Sequence, residues 1–278
     1  MWRREIYPSP LLFGVSTQIV YPIFFFFVIT IGYTFVSLAL NYYFYFSKNV
    51  ESCKNWKIQQ TNKTTTASLG KFFSIPIFSS KPNREKYHVL FCTLNLARAG
   101  LFASCVSFAI IKGWTRIVKE AVGNNNENDK NGYGSSITEN IALIIFDFIK
   151  IVVYECVVEY YWHRANHIPF LYRHFHKYHH AYKAPEPFDD MMIHPLEAFG
   201  YYCILYSPPF VFSLRLPAFV AYMILMGVCG VLDHSGVRLS IPYLYSVDFH
   251  DKHHQYFNCN YAFPFTFMDI IHSTVYKS

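Results

Sequence analysis

The sequence predicts an all-α protein, a polytopic membrane helical bundle with a histidine-rich metal cap on its cytosolic face. Three observations predict it. Residues 6–47 carry no charge, and further long apolar runs follow. Only 15 % of the 278 residues are charged, against about 25 % in an average soluble chain, while 53 % are hydrophobic and 20 % aromatic. All of the 13 histidines except His88 lie after Asp147, in ordered groups: His163 and His167; His176, His179 and His180; His250, His253 and His254.

A helical crossing needs about 20 apolar residues. The first uncharged run supplies one near Ile19–Leu40, with Ile6–Gln18 at the interface and Tyr42, Tyr43 and Tyr45 marking the exit as an aromatic belt. It is too long for the apolar region of a signal peptide. Residues 48–86 hold eight Lys or Arg against two acids and read as a polar loop. Their Asn62-Lys63-Thr64 triplet is a glycosylation sequon that the topology below makes silent. A second crossing runs from Val89 to Ile111, with Arg98 inside it as a pairing residue of the bundle. Residues 112–136 form a flexible connector with an Asn-rich tip, Asn124–Asn128. Residues 1–136 thus make an N-terminal unit of spans and loops, and 137–278 a second unit that holds the chemistry.

A third helix runs from Ile137 into the first histidine pair. Glu155, Glu159, His163 and His167 share one stripe of it, so both carboxylates are candidates to bind a metal or to orient its ligands. The alternative is pairing with Lys150 or Arg164. Pro169 ends the helix, Leu171–Tyr182 carries the second histidine group, and 183–195 reads as loop. Residues 196–232 contain only Glu197 and Arg215 as charges; Pro208-Pro209 and Pro217 break them into a helical hairpin. Asp233-His234-Ser235-Gly236 follows, and the third histidine group comes after a Pro242-containing loop.

Histidines four apart on an α-helix lie about 6 Å apart along one face, so two imidazoles can meet one ion. A His-x-x-His-His group extends the same face. Eight such residues exceed the four ligands of one tetrahedral zinc and suit two ions with open positions. The positive-inside tendency puts the basic 48–86 loop in the cytosol, and counting crossings then puts every histidine group on that side. The net charge of +6 comes with no basic stripe or reader motif, so no nucleic-acid partner is indicated. The seven cysteines form no Cys-x-x-Cys pair and read as reduced core residues.

The ordered motifs resemble the fatty acid hydroxylase/sterol desaturase superfamily of membrane di-iron oxidases. The matching stretches are Tyr161–His167, Leu171–His180, His194-Pro195-Leu196-Glu197, Asp233–Gly236 and His250–Asp269. The resemblance covers about Ile141 to Val275. His253–Ala262 looks most like the sterol-acting branch, including cholesterol 25-hydroxylases. It implies a fatty acid hydroxylase-type unit over 137–278 whose metal ligands are His163, His167, His176, His179, His180, His234, His250, His253 and His254. His194 is a further candidate ligand, His174 a neighbour, and Tyr160, Tyr161, Trp162 and Phe249 candidates to line the substrate path. Two iron ions and O2 are implied, with electrons from NAD(P)H. They arrive through a separate redox protein of the cytochrome b5 type and its reductase, at the endoplasmic reticulum membrane. The implied activity is hydroxylation of an unactivated C–H bond of a sterol or fatty acyl lipid in the bilayer, with desaturation on the same centre as the alternative.

Two positions depart from the family pattern. Asp269–Thr274 carries His272-Ser273 where the family usually has glycine before the threonine, and Arg238 stands where a second histidine often follows the one at 234. A zinc-dependent hydrolase is a weaker reading, because Arg-Ala-Asn between His163 and His167 supplies no general base. A non-catalytic metal-binding membrane protein would spread histidines along a crossing instead of gathering them at its edge.

Overall fold

The computed structural model describes residues 11–12, 15–46, 56–59, 84–118, 137–241 and 244–277. The Asn62 triplet, most of the basic loop, the Asn-rich tip and Pro242 lie outside them. Nine α-helices make up the described fold, and its strands are two-residue pairs only. Helix α1 (Thr17–Leu40) runs on through a π-helical turn at Asn41–Phe46, and α2 spans Arg84–Ile111. These two pack antiparallel. A Cβ on Gly100 would come within 2.9 Å of Phe26 and Thr30, and Ser104 Oγ donates to Pro22 O at 2.7 Å. Arg98 donates to Asn95 Oδ1 at 2.6 Å, the bundle pairing expected for a charge within a span.

Helix α3 (Ile137–Asn166) is the axis of the second unit, about 45 Å long at 1.5 Å per residue. It presents Ile141, Ile145, Phe146, Ile149 and Val153 outward while Asp147, Glu155 and Glu159 are buried. Apolar side chains outside and acids inside is the pattern of a helix in lipid. Three helical stretches are apolar enough to cross a membrane by composition: Thr17–Phe44, Cys92–Ile111 and Leu216–Asp233. Helix α3 is absent from that set because of the acids it buries. At its far end Asp147 accepts from Lys150 Nζ at 2.8 Å and from the Arg215 backbone and guanidinium at 3.0 Å each.

Pro169 starts α4 (Pro169–His174) at a position where its missing N–H costs nothing. The second histidine group then forms a 3-10 turn, His176–Ala181. The 196–232 segment is a hairpin of unequal limbs. Helix α5 (Pro195–Leu205) is about 17 Å long and α7 (Leu216–Asp233) about 27 Å, joined through the short α6 (Pro208–Val211). Helix α8 (Val247–Tyr256) carries the third histidine group, and α9 (Phe267–Ile271) follows. The core gathers around α3 from Ile151, Cys156, Ala198, Leu214, Tyr222 and Val247. Cys92, Cys156, Cys229 and Cys259 are buried and in no disulfide, whereas Cys105 and Cys203 are exposed on apolar helix faces.

The C-terminal segment closes on Asp269, whose carboxylate accepts from Tyr261 N at 2.9 Å, Ala262 N at 2.6 Å and Thr274 Oγ1 at 2.5 Å. Reaching Thr274 requires a left-handed residue just before it, and Ser273 takes φ 54°. This is the position where the family pattern has glycine. A non-glycine residue there is strained by about 1 kcal/mol or more. Ser273→Gly is therefore expected to raise unfolding stability by about 1 kcal/mol, read as a higher thermal midpoint in detergent; an unchanged or lower midpoint would show that Ser273 carries no strain.

Candidate metal centre

The end of α3, the 3-10 turn, the end of α7 and one face of α8 meet at one place. Nine imidazoles converge there in two groups. His163, His167, His176, His180 and His253 form the first; His179, His234, His250 and His254 form the second. Within each, one donor atom per residue lies within 4.8 Å of all the others. The histidine pair on α3 and the group on α8 are thus on one side of the bundle, with the His163 and His250 rings 6.0 Å apart.

The second histidine group departs from the α-helical face read from its spacing. On the 3-10 turn, with a kink at His180 (φ −79°, ψ 18°), the side chains fan out. His176 and His180 turn to the first group and His179 to the second. Helix α8 divides in the same way, giving His253 to the first and His250 and His254, one turn apart, to the second. Each His-x-x-His-His group therefore ties both donor sets together.

The ring hydrogens follow from the neighbours. Backbone carbonyls only accept, so the Nδ1–H groups of His163, His253, His234 and His254 donate to Tyr261 O (2.7 Å), Cys259 O (2.7 Å), Gly230 O (2.9 Å) and Tyr182 O (3.2 Å). In a neutral ring each Nε2 then carries a lone pair. The Nε2 atoms bunch: His167–His176 3.0 Å, His176–His180 3.1 Å and His180–His253 3.1 Å in one group, His179–His234 3.1 Å and His234–His250 3.0 Å in the other. His163 Nε2 and His254 Nε2 are buried without a partner.

These spacings also bring the ring nitrogens close enough to share a cation. Ligands bound at about 2.1 Å and at right angles lie about 3.0 Å apart, whereas a tetrahedral angle separates them by about 3.4 Å. The observed spacings fit the edges of a coordination shell larger than tetrahedral. Burial and the mutual repulsion of neighbouring imidazoles hold His179, His180, His250, His253 and His254 well below the ordinary imidazole range. They are neutral, the state a metal requires. The nine residues fit a two-ion centre.

A carboxylate stands against one imidazole of each group. Glu197 lies 2.5 Å from His176 Nδ1, and Asp190 3.5 Å from His234 Nδ1. The Glu197 contact fixes the tautomer and orientation of His176, whereas Asp190 flanks a His234 Nδ1–H that Gly230 O already accepts; the sequence motifs do not single out Asp190. A cavity of about 70 Å³ touches both groups and is walled by Trp162, Ile193, Tyr201, Tyr202 and Phe263, with Glu159, Asn166, Asp190 and Glu197 as polar members. That volume takes a few water-sized molecules. On the outer side of His167 a second, open groove of about 570 Å³ is lined by Tyr172, Arg173, Lys177 and Phe257.

The remaining candidates are placed as follows. Glu159 lines the cavity with Oε2 unpartnered, and Glu155 is fully buried near Tyr222. His194 belongs to neither group: it caps α5, its Nδ1 accepting from Leu196 N at 3.2 Å. Of the four aromatic candidates only Trp162 lines the cavity, seated on Gly200, where a Cβ would come within 2.4 Å of the indole. Tyr160 packs instead with Tyr261 and Met268 and stacks on His272. Tyr161 is half exposed with its hydroxyl on His272 Nε2 at 2.9 Å, and Phe249 is half-buried away from the cavity. Tyr160, Tyr161 and Phe249 thus lie off this cavity, on helix faces that point toward the C-terminal segment or away from it. Arg238 is exposed, 3.9 Å from Asp248, so the donor groups assemble without a histidine there.

Comparison with known proteins follows from this geometry. Residues 148–274 match the model of the family described as fatty acid hydroxylase. The chain is 32 % identical over 121 residues to a Delta(7)-sterol 5(6)-desaturase of Leptosphaeria maculans, covering 42 % of this chain and 34 % of that protein. It is 30 % identical over 132 residues to the lathosterol oxidase of Rattus norvegicus (46 % and 44 %), and 27 % over 132 residues to that of Homo sapiens (46 % and 44 %). The chain spans less than half the length of these curated relatives. No solved structure matches it.

Burial of neutral histidines has a consequence for stability. A histidine whose folded pKa lies below its unfolded value of about 6.5 takes up a proton preferentially when unfolded, so its contribution is lost as pH falls below that value, by up to about 1.4 kcal/mol per pH unit. Seven histidines of the cluster act this way, His163 and His167 included; the carboxyls outside the spans that burial pushes up, Asp190, Asp251 and Asp269, oppose them but are fewer. The metal-free protein is expected to lose thermal stability between pH 6.5 and 5, and a midpoint that is flat or rises on acidification would contradict neutral burial of the cluster.

Proposed function

We propose that the protein is a membrane non-haem di-iron oxidoreductase that oxidises an unactivated C–H bond of a lipid, a reading supported by the match of residues 148–274 to the fatty acid hydroxylase family and by similarity to sterol desaturases and lathosterol oxidases. The observation that carries this reading is the pair of imidazole groups with Nε2 edges of 3.0–3.1 Å. The activities for which the relatives are named, desaturation of a Delta(7)-sterol and oxidation of lathosterol, favour a sterol as substrate. Desaturation consumes O2, two electrons and two protons and yields an alkene and two waters. Hydroxylation of the same carbon yields the alcohol and one water, and both use the same donor set.

Two bound iron ions would supply activation of dioxygen; the rest is positioning by this chain. His163, His167, His176, His180 and His253 would hold one ion and His179, His234, His250 and His254 the other, with Glu197 and Asp190 orienting one imidazole of each. Trp162, Tyr201, Tyr202 and Phe263 exclude water from the cavity where the reactive carbon is presented. Glu159 Oε2 is placed to exchange a proton there. The lipid approaches from the bundle side, between α5 and α7. Electrons arrive on the opposite, groove side, where His167 is partly exposed beside Arg173 and Lys177, from a cytochrome b5-type donor and its reductase. The chain sits in the endoplasmic reticulum membrane with this end in the cytosol, as its basic loop implies.

Protein purified without oxygen is expected to contain about two irons per chain and, with cytochrome b5, its reductase, NADH and a sterol mixture, to consume O2 and form an unsaturated or hydroxylated sterol. Zinc alone with hydrolysis and no oxygen uptake would contradict the proposal. His179→Ala is expected to abolish turnover while leaving membrane insertion intact; full activity would remove His179 from the ligand set.

A further inference from the structure

The loop at 187–193 is clamped by the two N-terminal helices, which lie outside the family match at 148–274. Asn95 Nδ2 on α2 donates to Met191 O at 3.0 Å and Ile193 O at 2.6 Å, and Cys92 Sγ lies 3.3 Å from Phe188 O. From α1, Tyr33 donates its hydroxyl to Asp190 Oδ2 at 3.2 Å. The other oxygen, Oδ1, faces His234 Nδ1 at 3.5 Å. A tyrosine on the first span is thus connected through one carboxylate to an imidazole of the second donor group.

In the first group Glu197 on α5 stands against His176, hydrogen-bonded at 2.5 Å. Both carboxylates lie within the matched residues, but only the loop of Asp190 is clamped in place by the N-terminal helices. Resting on the two-ion reading above, we propose that Asp190, held by Tyr33, is a positioning residue specific to the second ion, and that α1 and α2 are structural parts of that ion's site. A carboxylate that fixes a metal-bound imidazole changes metal affinity about 10–100-fold when removed. Because Asp190 touches one group and Glu197 the other, the two should be separable.

The test is an anaerobic titration of the full-length protein with ferrous iron, counting ions bound and their affinities in the wild type, Asp190→Asn, Glu197→Gln, Tyr33→Phe and the Asp190→Asn/Glu197→Gln double variant. Asp190→Asn is expected to weaken one of the two ions about 10–100-fold and leave the other unchanged. Glu197→Gln should weaken the other ion alone, and the double variant both. Tyr33→Phe, which keeps the ring against Phe188, should act on the same ion as Asp190→Asn by a smaller factor. Unchanged binding of both ions in Asp190→Asn, or equal loss of both as from a general folding defect, would overturn the inference. A wild type that binds two irons in those cases leaves the proposed function standing, whereas a wild type that binds fewer than two overturns both.

Discussion

Imidazole nitrogens from separate segments are held about 3 Å apart in a buried pocket, and most of the described structure serves to hold them there. The chain meets that constraint by giving four of the rings a backbone carbonyl for Nδ1, which turns Nε2 inward. Two of those carbonyls, Cys259 and Tyr261, lie in the segment that Asp269 fastens through the amides of Tyr261 and Ala262. The C-terminal motif thus acts on the donor groups through backbone geometry.

The same constraint shapes the bundle in the bilayer. Helix α3 delivers His163 and His167 at its end while burying acids on the face toward the bundle and exposing Ile and Phe on the other. The hairpin's shorter limb brings Glu197 and the aromatic wall to the centre, and its longer limb brings His234. Access divides accordingly, with an aromatic-walled cavity on the bundle side and a groove with basic residues and no acid on the other.

Local signals in the sequence carried far. An uncharged run near Ile19–Leu40 became α1 at Thr17–Leu40, and Ile137 is where α3 begins, because apolar runs and charge breaks are written residue by residue. The nine histidines carried over from the family motifs are the nine the fold brings together. How they divide between two groups was not readable, since it depends on a 3-10 turn that the i, i+3, i+4 spacing does not distinguish from α-helix. Asp190 escaped notice for a similar reason: its partners Tyr33 and His234 are 157 and 44 residues away, and no local pattern reports such a meeting. Tyr160 and Trp162 sit two apart on α3, yet only Trp162 faces the cavity; which helix face meets which neighbour is a property of packing.

X-ray absorption at the iron edge of anaerobically purified, membrane-extracted protein tests the central claim most directly. The two groups of five and four imidazoles predict a first shell of nitrogen or oxygen at about 2.0–2.2 Å with imidazole multiple scattering. They predict no sulfur and more than four ligands per ion once small molecules fill the open positions. A sulfur shell at about 2.3 Å, or a four-coordinate site without imidazole scattering, would contradict the account.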